Sequence, residues 1–424
     1  MTDAGMEGLR TDQAPPLSIP AGFFLISPSA MIAAGTLIAL GGGSAFGSRW
    51  LPAAMAATHL GTLGIVGAVM LGALYQMIPV VAGAPVPLVR LAHGVNAAFA
   101  VGLAALAAAF LGGSPTLFTV AAVVLGGALL GFVVPTAVAL ARAPSRGTTV
   151  TGIRIAVGGL VLVATLGIDM ALTRAGLSAI HGDSIAWVSA HAALGGLVWI
   201  GGLVASVSWQ VVPMFYLAPD VPRWTQRASL VAVALALVAA PVLAVASYGP
   251  EWVALAVAPA AAMIWIVHPL VTARALRSRK RRRVDGSVRF WWAGLACTPL
   301  AVPLAAGTLW GTDGRWSVGL GFLVVWGSAG LIVHGMLTRI VPFLVWFHRY
   351  SALVGTVPVP SMRALLPDGR IRIALAIHVA ALVTGGAAIA TGWPPVGIAT
   401  GVLVAATGVA LGLNLIHALR QRPR

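Results

Sequence analysis

Long apolar stretches separated by short polar links recur along the whole chain. As a helix, about twenty apolar residues span the roughly 30 Å hydrocarbon core of a bilayer. The pattern predicts an all-α, polytopic membrane protein, because a membrane β-barrel would show shorter alternating segments. Twelve transmembrane helices are predicted, at residues 21–43, 53–82, 91–111, 116–141, 153–173, 186–215, 228–247, 252–273, 290–310, 317–346, 372–391 and 396–418. A polar tail, residues 1–20, precedes a single membrane domain, residues 21–424.

Three of the predicted spans share a pattern that ends in proline. The segments Gly72–Pro79, Ser206–Pro213 and Gly335–Pro342 each begin with a small residue and carry a long polar residue three positions before the proline. The prolines lie 134 and 129 positions apart, and they fall in spans two, six and ten. This spacing predicts three four-helix pseudo-repeats of one design, at about residues 21–145, 150–280 and 288–420.

The composition agrees with a membrane location. Hydrophobic residues make up 59% of the chain and charged residues only 8%, whereas a soluble domain carries about 25% charged residues. The N-terminal tail has no apolar core and is not expected to be a cleaved signal peptide. The single cysteine, Cys297, excludes an intrachain disulfide and a metal site made of clustered cysteines. The predicted partner is therefore the lipid bilayer.

The basic residues predict the orientation. If the N-terminus lies inside, 23 of the 26 Lys and Arg residues fall on the inner side, and only Arg49, Arg174 and Arg315 fall outside. Positive charge collects on the cytoplasmic side, so we expect the cytoplasmic (inner) membrane with both termini cytoplasmic. The run Arg279–Arg283 then anchors the inner end of span eight near anionic lipid, and nucleic acid is not an expected partner. The inner link 349–370 is expected to lie along the membrane surface.

Two histidines open corresponding spans. His59 and His191 lie 20 and 22 residues before the repeat proline, where the third repeat has Phe322 and Leu320. Neutral imidazole is a good ligand for iron, copper or zinc. The pattern is consistent with a one-histidine site, a site that bridges spans two and six, or a lost site. A buried histidine can also join helices by hydrogen bonds.

Other polar residues inside the spans are functional candidates, because ionisable groups are costly in a bilayer. A structural role is favoured for His334 and Asp169. Gln76, Gln210 and Arg339 are expected to satisfy phosphate groups near the inner face or the carbonyl that the following proline leaves unpaired. Five further histidines are predicted near inner membrane interfaces: His93, His268, His348, His378 and His417.

The segment from His59 to Pro79, HLGTLGIVGAVMLGALYQMIP, resembles the second span of the catalytic subunit of the haem-copper oxidase and nitric oxide reductase superfamily, which includes cytochrome c oxidase subunit I. That family also has twelve spans in three four-span units. The resemblance implies that His59 is an axial ligand of haem b and that His191 is a copper ligand. NnrS-like membrane proteins, associated with the response to nitric oxide, are similar in layout and carry a span-ten arginine like Arg339.

The chain departs from this family at two places. Leu320–Gly327 is similar to the family's span-ten His-Gly-His segment but has no histidine, and residues 228–247 lack the span-seven pair. A haem–copper reductase centre, and hence enzyme activity, is not expected. The resemblance implies a divergent protein that binds haem b or copper near the outer face and acts in respiratory or nitric-oxide-linked metabolism, with other membrane or electron-transfer subunits. The alternative is a metal-free membrane transporter or scaffold protein.

Overall fold

The computed structural model describes residues 13–178, 185–280 and 284–423. Within these ranges, twelve helices are long and apolar enough to cross a membrane, which confirms the predicted all-α polytopic fold. The first twelve residues of the predicted tail and part of the basic run Arg279–Arg283 lie outside the described residues. The helices are α1 Ser18–Phe46, α2 Pro52–Ala82, α3 Val89–Gly112, α4 Pro115–Arg142, α5 Thr148–Arg174, α6 Ile185–Tyr216, α7 Arg223–Val245, α8 Pro250–Arg277, α9 Gly286–Trp310, α10 Arg315–Leu353, α11 Asp368–Thr391 and α12 Pro394–Arg420.

The helix ends lie close to the predicted span ends, and the largest difference is at the end of α10. The prediction stops at residue 346, but the helix continues to Leu353. The additional turns contain His348 and Arg349, whose polar groups end the apolar pattern but do not end the helix. A hydropathy pattern therefore marks the apolar part of this helix and misses its amphipathic extension.

Three helices contain a π-helical segment at the same place relative to the repeat proline. The segments are Leu60–Gly67 in α2, Leu194–Gly201 in α6 and Leu323–Gly330 in α10. Each begins 19 residues before the proline and ends 12 residues before it. The threefold repeat stays a prediction, and this common placement favours it.

The last residue of each π-helical segment is a glycine. A Cβ atom added to Gly67, Gly201 or Gly330 would lie 2.8, 3.0 or 2.6 Å, respectively, from the carbonyl oxygen five residues earlier. These distances are shorter than at least nine in ten real Cβ contacts. The wider π turn therefore favours a residue without a side chain at this position, and π-helical turns are frequent at functional sites.

The chain divides into two compact units. The first comprises Ala73–Arg282 with Met1–Pro15 and contains α3 to α8, and the second comprises Pro16–Gly72 and Arg283–Arg424. In the first unit, Leu194 and the small residues Ala236 and Ala260 are fully buried where their helices pack. The predicted single membrane domain is not tested by this division and stays a prediction.

The outer surfaces of the helices carry large apolar side chains. Val123, Leu235 and Val383 are 67%, 59% and 66% exposed, respectively. In water, a continuous apolar surface of this kind would promote aggregation, whereas in a bilayer it faces lipid of the same polarity. The exposed surface thus agrees with a multi-pass membrane protein in contact with lipid.

In the second unit, α1 and α12 meet backbone to backbone. A Cβ atom on Gly35 would lie 2.5 Å from the carbonyl oxygen of Gly401, and a Cβ atom on Gly401 would lie 2.5 Å from the carbonyl oxygen of Gly35. Gly397 and Gly408 on α12 are similarly close to the backbone of α1. Small residues at such positions allow membrane helices to pack by van der Waals contact.

Arginine side chains cap two helices at their predicted inner ends. Arg349 donates from Nη1 to the carbonyl oxygens of Leu419 and Gln421, at 2.7 and 2.5 Å. Arg154 donates from Nη2 to the carbonyl oxygen of Leu140, near the end of α4, at 2.9 Å. The last carbonyls of a helix have no partner within it, so these basic residues satisfy backbone groups as well as setting the predicted orientation.

We predict that Gly401→Ala destabilises the protein, because the new methyl group would overlap the backbone of α1. Overpacking of this kind costs about 1–3 kcal/mol. Gly386→Ala in α11 is the matched control, since a Cβ atom there has nothing within 4 Å and alanine favours a helix by up to about 1 kcal/mol over glycine. Thermal unfolding of purified protein in detergent should show a lower Tm for Gly401→Ala alone. Equal Tm values for the two variants would contradict the backbone contact.

We also predict that Gly330→Ala is destabilising, because the π turn places its Cβ position against the carbonyl oxygen of Val325. Gly321→Ala, earlier in the same helix and with open space around the Cβ position, is the control. Both variants replace glycine by alanine in the same helix, so both gain the helix preference of alanine. A difference between their Tm values therefore reports the effect of the π turn. A Gly330→Ala protein as stable as Gly321→Ala would show that the turn readily converts to an α-helical one.

Candidate functional site

His59 lies at the junction between the α-helical start of α2 and its π-helical segment. Its Nδ1 lies 2.8 Å from the carbonyl oxygen of Met55, and the side chain is half-buried. A carbonyl oxygen can only accept, so Nδ1 carries the proton and Nε2 carries the lone pair of the neutral ring. Metal-binding histidines are commonly held in this way, with the other ring nitrogen bonded to a backbone carbonyl.

His191 and Asp169 belong to the first unit. The ring of His191 packs over Gly167 of α5, where a Cβ atom would lie 3.1 Å from Cε1 of the histidine. Asp169 accepts a hydrogen bond from the Ser178 hydroxyl at 2.7 Å, which ties the last turns of α5 to the residues that follow. This contact is consistent with the structural role that the sequence analysis favoured for Asp169.

The described ligand set does not fit a haem–copper reductase centre. A copper ion in such a centre needs several protein ligands close together. Among the residues whose positions are described, no three His, Cys, Asp or Glu side chains come together in a group that could hold a metal ion. A single histidine ligand, as in haem proteins with one protein ligand to iron, fits the geometry of His59.

A second histidine pair is buried in the second unit. His334 of α10 and His378 of α11 are both fully buried, and their Nδ1 atoms lie 3.1 Å apart. Nε2 of His378 lies 3.1 Å from the carbonyl oxygen of Trp326, and the Trp326 indole N–H donates to the carbonyl oxygen of His378 at 3.3 Å. The two helices are thus joined by a chain of polar groups inside an apolar bundle.

The chemistry of the partners assigns the protons in this chain. The carbonyl oxygen of Trp326 can only accept, so His378 donates from Nε2 and its Nδ1 must accept. His334 then donates from Nδ1, which leaves the lone pair on its Nε2. That nitrogen has no hydrogen-bond partner within the described part of the chain. The ring of His334 packs on Phe290 at 4.5 Å between centroids.

The sequence pattern did not indicate that His378 is part of a site. It was expected at an inner membrane interface, but its side chain is buried between helices, and His268 in the first unit is also buried. The position of His378 in the sequence could have indicated its burial, since it lies six residues inside the predicted span 372–391. A histidine that deep in a span needs polar partners, because unpaired polar groups are costly in an apolar environment.

The two glutamines of the repeat pattern are both half-buried. Oε1 of Gln76 is buried and has no hydrogen-bond partner among the residues that the structure describes. The helix continues past Pro213 to Tyr216, so the proline after Gln210 does not end it. The expectation that these glutamines satisfy freed backbone carbonyls stays a prediction.

Arg339 takes part in an ion-pair cluster near the start of α9. Arg339 and Arg363 approach the same oxygen, Oδ2 of Asp285, at 3.4 and 3.3 Å. The other oxygen of Asp285 accepts from the Ser287 hydroxyl at 2.8 Å and from the backbone N–H of Val288 at 3.2 Å. Burial alone would raise the pKa of Asp285, but these hydrogen bonds and the two arginine charges outweigh burial and hold the pKa below its ordinary value of 3.8.

A cavity of about 240 Å³ adjoins this cluster and is lined by Asp285, Arg339 and Arg363. It exists because the link between α10 and α11 folds back on the protein: Leu366 is buried, and the Trp346 indole N–H donates to the carbonyl oxygen of Pro360 at 3.0 Å. The link was expected along the membrane surface, and these contacts were not predicted. The sequence of the link did not indicate that Arg363 pairs with Asp285, because the two residues lie 78 positions apart.

We predict that Asp285→Asn lowers the free energy of unfolding at pH 7 by about 1–3 kcal/mol, because it removes a charged, hydrogen-bonded helix cap. Since the native pKa is depressed, the stabilisation is present above the ordinary value of 3.8 and is lost as the pH falls through the native pKa. The Tm difference between the variant and the wild type should therefore narrow below pH 3.8. Asp220→Asn, at an exposed link position, is the control. A difference that does not change with pH would exclude the ion pairs as its cause.

Comparisons with known proteins do not assign the chain to a family. No protein-family model matches it, and no curated protein is similar to it at a significant level. The resemblance to the haem-copper oxidase and nitric oxide reductase subunits therefore rests on the span pattern and on the segment from His59 to Pro79. The chain is a multi-pass helical membrane protein. Its described residues include the three polar sites above: His59, the pair His334 and His378, and the Arg339 cluster.

Proposed function

We propose that this protein is a divergent relative of the haem-copper oxidase and nitric oxide reductase subunits that binds haem b through His59, or copper with His191 as the ligand. It acts in respiratory or nitric-oxide-linked metabolism without the family's haem–copper reductase centre. The binding site lies near the predicted outer face of the membrane. The single observation that carries the proposal is the hydrogen bond of His59 Nδ1 to the carbonyl oxygen of Met55.

This hydrogen bond supports ligation in two ways. It orients the imidazole, and it places the lone pair of the ring on Nε2. The adjoining π-helical segment, Leu60–Gly67, has wider turns than an α-helix, and such segments are frequent at functional sites. A bound haem b supplies reversible one-electron transfer and a site for a small gas molecule. The contribution of the chain is to hold the imidazole and surround it with apolar helices.

The test is an optical spectrum of protein purified from a haem-replete host, oxidised and dithionite-reduced, with metal analysis of the same sample. We expect a Soret band and a sharp α-band in the reduced protein. We expect His59→Ala to lose both, because it removes the imidazole that is proposed to bind the haem iron. His93→Ala, which alters an exposed histidine, is the control and should retain them.

Three results distinguish the versions of this proposal. Copper without haem would move the site to His191, and His191→Ala should then lose the metal. A colourless, metal-free wild-type protein would overturn the proposal, as would a His59→Ala protein with an unchanged spectrum and metal content. Tm values of each variant show whether a lost band reflects a lost ligand or a lost fold.

The second candidate function is a metal-free membrane transporter or scaffold protein. The observation that favours it is the cavity beside Arg339, which has charged walls and does not involve the histidines. A polar cavity in a helical bundle is a ligand site in many proteins. A colourless protein whose Tm rises with an anionic ligand would support this function over haem binding.

A further inference from the structure

We propose that the cavity beside Arg339 and Arg363 binds a phosphate group. This inference is independent of haem or copper binding, because none of the histidines discussed above lines the cavity. Four features support it: the charged groups of the walls, an unpaired donor, the volume of the cavity and its place at the predicted inner face.

Two arginines and two aspartates line the cavity: Arg339, Arg363, Asp285 and Asp368. Both arginines approach Oδ2 of Asp285. Asp368 forms an ion pair at 3.3 Å with Arg372, which does not line the cavity, and accepts from the backbone N–H of Gly286 at 2.6 Å. Asp368 therefore has partners of its own, and each guanidinium has five N–H donors to divide between Asp285 and an anion.

Arg363 also has a donor without an acceptor. Its Nε is buried and has no hydrogen-bond partner in the described ranges, although a terminal nitrogen of the same guanidinium contacts Asp285. A buried donor that is left unpaired is destabilising, and more so when its group is charged. A phosphate oxygen is a suitable acceptor, since the planar guanidinium presents its N–H groups in the geometry of two phosphate oxygens.

The position of the cavity at two helix N-termini and its volume also favour a phosphate. The cavity lies where α9 and α11 begin, and the N-terminal end of a helix attracts negative charge. Its volume of about 240 Å³ is below the roughly 300–1,000 Å³ of sites for drug-sized ligands. A small anionic group therefore fits better than a whole large molecule. The apolar wall residues Met362 and Leu366 could contact the carbon atoms attached to the phosphate.

The phosphate could come from two sources. The predicted orientation places the cavity at the cytoplasmic face, where it would meet the headgroups of anionic phospholipids as well as phosphate compounds in solution. Both sources present the same chemistry to the two arginines. The experiment therefore needs one arm for each source.

The experiment measures the Tm of the full-length protein in neutral detergent with two probes. One arm adds inorganic phosphate, compared with chloride at equal ionic strength, and the other adds phosphatidylglycerol, compared with phosphatidylcholine. We expect one of the two probes to raise the Tm of the wild-type protein. In Arg363→Gln, binding should be roughly tenfold to a hundredfold weaker, because a charge-assisted hydrogen bond is lost.

Arg363 is the residue to change first, because it lies on the link between α10 and α11 and not inside a helix. Arg315→Gln is the matched control: Arg315 is also paired with an aspartate, Asp313, at 2.7 Å, but it lies outside the cavity. Arg339→Gln provides a second variant with the same expected loss of binding.

The results with the two probes distinguish the two sources of phosphate. An increase with inorganic phosphate that Arg363→Gln loses supports a site for soluble phosphate compounds. An increase with phosphatidylglycerol alone, again lost in Arg363→Gln, supports a lipid headgroup site. No increase with either probe, or equal increases in the wild type and Arg363→Gln, would overturn the proposal. A colourless protein with an intact phosphate response would reject the haem proposal and leave this one standing.

Discussion

The contact between the first and last helices is the constraint on which the second unit depends. In a bilayer, lipid chains are as apolar as leucine, so helices associate mainly through close van der Waals packing. Gly35 and Gly401 allow the backbones of α1 and α12 to touch, and α12 in turn packs against α10 and α11. The helices that carry His334 and His378 therefore pack against a helix that glycines bring close to α1.

The same environment explains how the polar groups are arranged. A backbone or side-chain polar group inside a membrane must find its partner within the protein. Arg349 satisfies the last carbonyls of α12, and the histidine pair satisfies three of its four ring nitrogens with each other and with Trp326. The fourth, Nε2 of His334, has no partner within the described residues, as is also the case for Oε1 of Gln76 and Nε of Arg363. Such exceptions mark the places where a membrane protein is open to a ligand or a proton.

The span pattern could be predicted from sequence, because the length of an apolar stretch is sufficient to identify a membrane helix. His59 and His191 were recognisable because each opens the corresponding span, and Arg339 because it lies three residues before the repeat proline. His378 and Arg363 were not, because their partners are distant in sequence and no periodicity links them. The glycines that end the π-helical segments could have been found from sequence, since each lies 12 residues before its proline. Their role in a π turn could not, because it depends on the backbone conformation.

The π-helical segments change how substitutions in these helices should be compared. A π turn contains more residues than an α turn, so residues beyond the segment face a different direction from the one that counting by 3.6 predicts. In α2, the face that carries His59 therefore cannot be followed to Gln76 by helical periodicity. Substitutions before and after such a segment must therefore be assigned to a helix face from the structure and not by counting residues.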